Sequence, residues 1–296
     1  MQPGRAIALA HSLALALALP ALGCTGAVAE TAGGDAETAR TTSAIVIVER
    51  TVDATGAPRV ETSARFARVP AGTSARDALR TIGAAIELPP AGTCASIAAL
   101  AGGASAGVPP VIELIDVGAV SLETSGRETH LVPRQVPDVT DVVSGVVYAR
   151  AADPVLFPSS ARYLLRVSGS ADVEPFEVTA TAPADPADVH VAGEDAAGVA
   201  VPAASPIDVA WTPSAADDAL YIEVQPAGFR CTLEDTAGQV GSQAGESTHA
   251  SVPASLVDES GTLVLHRVHR EALSARGLEG GEIRFDFSRA VAYARR

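Results

Sequence analysis

The chain has 296 residues, enough for one large or two ordinary domains with a sizeable core. Hydrophobic residues make up 47% and charged residues 19%, which excludes a disordered acidic tail and leaves a folded body. The formal net charge is −14 with no basic patch along the sequence, which argues against nucleic acid as a partner, because phosphates would be repelled.

All 21 basic side chains are Arg and Asn is absent, a bias that reads as the mark of a GC-rich genome. It has chemical consequences. Without Lys there is no P-loop lysine, Schiff base or Ser-x-x-Lys nucleophile, and without Asn there is no N-glycosylation. Aromatics are only 4%, so the core must be built mainly from Val, Leu, Ile and Ala.

The N-terminus has the layout of an export signal: Arg5, an apolar run from Ala6 to Leu19 that is too short to span a bilayer, then a small-residue turn. Ala21-Leu22-Gly23-Cys24 resembles the lipobox of bacterial lipoproteins, in which a peptidase cuts before a Cys whose thiol carries a diacylglyceryl group. The resemblance implies a signal peptide over residues 1–23 and a lipidated Cys24 holding the chain to a membrane; several acyl chains make such an anchor effectively permanent. Leu is commoner than Ala at position 21, and a smaller residue at position 22. The other reading is an ordinary signal cut after an Ala-x-Ala-like site. Thr25 after the Cys, in place of Asp, points to the outer membrane. Residues 24–42 lack large apolar residues and read as a flexible tether.

Strand signals begin directly after it. Ala44 to Val48 is a β-branched run and Val60 to Val69 a mixed one. Ser74-Ala75-Arg76-Asp77 offers an N-cap, with Ala78, Leu79 and Ile82 on one face of a short helix. From Val111 the pattern is β: 111–115, 142–148, 163–167 and 176–180, the last two alternating as half-buried antiparallel strands do. Ala182-Pro183-Ala184-Asp185-Pro186-Ala187-Asp188 breaks the pattern and sets a domain boundary. Further strands follow at 207–211, 220–224, 229–233, 263–268 and 283–287. The expectation is a mainly β protein with two antiparallel β-sandwich-like domains, 43–182 with a short helix and 183–296.

Several segments together resemble a loose group of secreted proteins and lipoproteins of GC-rich bacteria. They are Val117 to Leu122, Tyr163 through Gly169 to Phe176, Ile207 to Pro213, the CTLEDTAG run from Cys231, and Val252 to Leu256. The likeness covers roughly residues 110–294. It implies a β-sandwich envelope protein and supplies no catalytic residue, because no activity is established for that group.

Three patterns bear on chemistry. Gly103-Ala104-Ser105-Ala106-Gly107 matches the nucleophile elbow, which needs a strand before Ser105 and a helix after it; Pro109-Pro110 opposes that helix and favours a loop. His266 and His269 have a spacing that shares a metal on a helix, but on a strand the odd offset sends the rings to opposite faces. The acid pairs Glu194-Asp195, Asp217-Asp218 and Glu234-Asp235 fall in turns where calcium finds oxygen ligands, though no spacing resembles a calcium loop and solvated acids are the default. Trp211, on an alternating face with Ile207 and Val209, reads as core rather than as a carbohydrate platform. Cys94 and Cys231 are expected to pair as a disulfide in an oxidising compartment; the other reading is that each is a buried small hydrophobe. The functional expectation is a non-enzymatic cell-envelope lipoprotein that binds an unidentified protein or surface ligand and uses no cofactor. The alternative is a secreted hydrolase using Ser105 or the His266/His269 pair.

Overall fold

A run of four β-branched residues, Ile45 to Val48, loses little conformational freedom on extension and suits a strand buried on both faces. In the computed structural model, which describes residues 40–102, 110–137, 142–195, 198–213, 218–233 and 248–296, this run lies at the middle of the largest sheet. In chain order the elements begin with β1 (Arg40–Val52), β2 (Pro58–Pro70), α1 (Ala75–Thr81), β3 (Cys94–Ser96), α2 (Ile97–Gly102), β4 (Ile112–Leu114), β5 (Val120–Thr124) and β6 (Arg127–His130). Next come β7 (Val132–Val136), β8 (Val143–Ala152), β9 (Arg162–Val167), β10 (Phe176–Thr181), β11 (His190–Val191), β12 (Glu194–Asp195) and β13 (Val199–Val201). The last are β14 (Ile207–Trp211), β15 (Ala219–Gln225), β16 (Phe229–Thr232), β17 (Thr248–Val252), β18 (Ser260–Ala272) and β19 (Gly280–Arg295).

One sheet of eleven strands runs β3-β16-β15-β18-β19-β1-β2-β4-β8-β7, with β13 added alongside β19. Two four-stranded sheets accompany it, β10-β9-β5-β6 and β12-β11-β14-β17. The protein is a mainly β sandwich, as the alternation implies. Each small sheet shares its own hydrophobic core with part of the large one. Val120, Leu122, Tyr163 and Leu165 pack with Val46, Val48, Phe66 and Phe285, whereas Val191, Ile207, Val209 and Trp211 pack with Ile222, Val224, Leu265 and Val291. β19 serves both cores from one face: Ile283, Phe285 and Phe287 enter the first, Val291 and Tyr293 the second. The Pro-rich segment 182–188 separates the two small sheets, but the large sheet continues across the 182/183 boundary. Residues 38–296 accordingly form one compact unit.

Most pairings are antiparallel. Among the described residues three are parallel: β1 with β19, β13 with β19, and β4 with β8. Alternation within a strand reports which face is buried, not the direction of its neighbour, so these pairings left no mark in the sequence pattern. The β4–β8 contact depends on Gly145, at φ +118°, where an added Cβ would stand 1.8 Å from the carbonyl oxygen of Leu114.

The first core is locked by a tyrosine. Tyr148, fully buried, accepts a hydrogen bond from the backbone N–H of Val117 at 2.8 Å and donates one to Asp116 Oδ1 at 2.6 Å. That bond, with a second from the Gly118 N–H, holds the Asp116 carboxyl below the usual carboxylate range. Tyr148→Phe leaves the Val117 N–H without its acceptor, and should lower stability by about 2 kcal/mol. Urea denaturation with an unchanged slope checks this. A loss within error of zero would mean that water replaces the hydroxyl.

Candidate functional site

The large sheet has a second face, turned away from both cores, and part of it is also covered. Ser74 caps α1 as expected, its Oγ accepting from the Asp77 N–H at 3.1 Å. Ala78, Leu79 and Ile82 turn the helix toward Ile45, Ile47, Ala67 and Ile112 on the sheet. Beyond it residues 82–96 run as a strap toward the β16 edge. Arg284 Nη2 donates to the Ala84 carbonyl at 2.6 Å, Arg230 Nη1 to that of Glu87 at 3.4 Å, and Thr232 Oγ1 to that of Pro89 at 2.8 Å. Glu87 ties strap to helix through Arg80 at 2.7 Å and through Arg76, and these partners hold its carboxyl below the usual range. The strap ends at the Cys94–Cys231 disulfide, which joins β3 to β16.

Near the strap are residues of β15, β18 and β19 that an exposed face would leave in water. His266 Nδ1 lies 2.8 Å from Asp286 Oδ1, and the Tyr221 hydroxyl donates to Asp286 Oδ2 at 3.3 Å. Tyr221 and His266 stack with ring centroids 4.3 Å apart and planes 7° from parallel. The Arg230 guanidinium sits 5.6 Å from the Tyr221 ring centroid. Burial, reinforced by the Asp286 charge, pushes the Tyr221 hydroxyl well above its usual range, so it remains a donor. The His266–Asp286 pair has the geometry of the base and orienter of a hydrolytic triad. Ser288, directly opposite His266 across β18–β19, is 1% exposed and shares its hydroxyl with Thr51 Oγ1 at 2.9 Å. It is not presented to solvent as a nucleophile.

His269 belongs to a different cluster, at the divide between the two cores. Its Nδ1 is 2.8 Å from Asp218 Oδ1, its Nε2 3.5 Å from Glu271 Oε1, and its ring faces Phe285. Arg267, 4% exposed, donates to the carbonyls of Ala184 at 3.0 Å and Thr212 at 3.3 Å, and its Nε is 3.9 Å from Asp218. Burial lowers the hold of this guanidinium on its proton against the opposing charges of Asp218 and Asp185. Asp185 itself pairs with Arg50 at 2.9 Å. These bonds fasten the 182–188 segment to the large sheet between two apolar cores.

The two histidines therefore serve opposite faces of β18, as strand parity requires, and the structure does not bring them together. Among the described residues no group of three or more His, Cys, Asp or Glu is arranged to hold a metal ion. Cys24 and Ser105 lie outside the described residues, as do Asp217, Glu234 and Asp235. Asp218 is buried against His269, whereas Glu194 and Asp195 form the exposed strand β12. Trp211 is 1% exposed, within the second core. Sequence reasoning missed Tyr221, Asp286 and Arg267. The available signal was the alternation of Arg284, Asp286 and Ser288 with Ile283, Phe285 and Phe287.

No family model matches this chain, and neither does any curated protein. Among solved structures it is similar to the full ectodomain (Ig1–Ig3) of mouse nectin-like molecule 4, at 8% identity and a TM-score of 0.21, over 86% of this chain. The chain spans 65% of that ectodomain's length. It is also similar to the Mu homology domain of Danio rerio Fcho1 with bound Eps15 peptide, at 11% identity and a TM-score of 0.26, over 86% of this chain and 97% of that one. Neither likeness bears on function at these values, and the sandwich assignment rests on the strands themselves.

Proposed function

We propose that this chain is a non-enzymatic cell-envelope lipoprotein, anchored through Cys24 to the outer membrane and used for interaction or surface structure. The observation that carries the export reading is the Cys94–Cys231 disulfide, since structural disulfides persist in oxidising compartments and are rare in the cytosol. An export segment ending at Cys24 accounts for how the chain reaches one. The residues around His266 and His269 support a non-enzymatic role. Each ring is held by its own aspartate, in hydrogen-bonded clusters that fasten the strap region and the 182–188 segment. Rigid sheets with exposed loops suit binding.

Radiolabelled palmitate should enter the wild-type protein, and Cys24→Ser should release an unlabelled form. A wild-type protein that is unlabelled and soluble without detergent would sink the proposal. The His266–Asp286 pair favours a second reading, a secreted hydrolase with Ser105 as nucleophile; ester hydrolysis abolished by Ser105→Ala would decide for it.

A further inference from the structure

Helix α1 does not fill the space beneath it. Between the helix and the ends of β1, β2 and β19 lies a cavity of about 370 Å³, within the size range of small-molecule sites. Its walls are mainly apolar, with Ile45, Ala67, Val69, Leu79, Ile82 and Ile112 among them. Three ionisable residues line it, Arg65, Glu279 and Glu282, and two of them flank Ile45 from opposite sides. Arg65 stands across the β1–β2 pair from Ile45, and Glu282 across the β1–β19 pair. Glu282 is neutralised, with Arg284 at 3.5 Å and Arg270 at 3.8 Å. Arg65 has no such contact: its hydrogen bond is a long one to Ser63 Oγ at 3.4 Å, among the described residues no carboxylate pairs with it within 4 Å, and the Glu49 charge acts on it from farther off. A partly buried cation whose counter-charge is not in contact costs free energy, and a ligand that brings an anion into contact recovers part of it.

We propose that this cavity is a binding site for a single-chain aliphatic monocarboxylate, its carboxylate on Arg65 and its alkyl chain along the apolar wall under α1. The guanidinium fork matches two carboxylate oxygens in one plane. A single cation without a contacting partner, with Glu279 and Glu282 also in the lining, favours a monoanion over a dianionic phosphate. Among the described residues none before Thr41 lines the cavity, and the proposal does not rest on how the chain is anchored.

The test is calorimetric titration of the full chain carrying Cys24→Ser, stripped of adventitious lipid, so that no covalent acyl group competes. Three probes of one chain length are compared: dodecanoate, dodecanol and dodecyltrimethylammonium. Dodecanoate should saturate one site, bind at least about tenfold more tightly than dodecanol, and gain roughly fourfold in affinity for each methylene added from octanoate upward. The ammonium should bind most weakly. Arg65→Met, which keeps an apolar stem, should bring dodecanoate down to the level of dodecanol and leave dodecanol unchanged. Absence of saturable dodecanoate binding, or equal binding of all three probes, would overturn the proposal. The probe comparison on the unaltered cavity holds whether or not the Arg65 variant folds. Loss of palmitate labelling at Cys24 would leave it untouched.

Discussion

Replacing both Cys94 and Cys231 by Ala should destabilise the protein by up to about 5 kcal/mol, since the bridge closes a loop with a sequence separation of 137 and shorter loops already give a few kcal/mol. The bridge fixes the end of the strap to β16, so the loss should not be uniform. Hydrogen exchange in residues 82–96 should accelerate before the strands of the first core do. Intact mass gives the simplest reading: under denaturing conditions reductant should add the mass of two hydrogens within the fold, and the double variant should show no change. A double variant as stable as wild type would mean that the strap's hydrogen bonds to Arg284, Arg230 and Thr232 hold it unaided.

Arg267→Met should cost about 3–5 kcal/mol, the range for removing one partner of a buried ion pair. The long contact to Asp218, at 3.9 Å, is the smaller part of this. The larger part is the carbonyls of Ala184 and Thr212, which lose a charged donor deep in the molecule. Adding Asp218→Asn to Arg267→Met should recover some of the loss by removing a buried carboxylate that, among the described residues, has only His269 left to face. Chemical denaturation of the four members of this cycle measures the coupling. A cost below about 1 kcal/mol for Arg267→Met would show that the 182–188 segment does not depend on this side chain.

The sequence was most legible where a residue's local pattern settles its fate. The β-branched run at Ile45 to Val48, the alternation of Tyr163, Leu165 and Val167, and the Ser74 cap all appear where the pattern puts them. The short helix α2 and the strands β5 to β7 carry weaker patterns and were not read as elements from the residues. The 182–188 break was visible as a break, but whether a sheet continues past it depends on β18 and β19, nearly a hundred residues further on. The candidate site was less legible still. Strand parity separated His266 from His269, yet their partners arrive from elsewhere in the chain, Asp286 from β19 and Asp218 from just before β15, at separations of 20 and 51. The cavity is invisible in sequence, because it is the volume a seven-residue helix leaves unfilled.

The parallel pairing of β1 with β19 joins Thr51 to Ser288, neighbours in space that are 237 positions apart in sequence. A ribosome or a translocation channel delivers the first of these strands long before the second. Until β19 emerges, Val46 and Val48 lack the neighbour that completes their sheet, and each of the two cores lacks a wall. The large sheet therefore cannot close around its central strand until β19 has been made. Such non-local closure belongs to the slow end of single-domain folding, and it makes the sixteen-residue β19 the strand on which both cores wait.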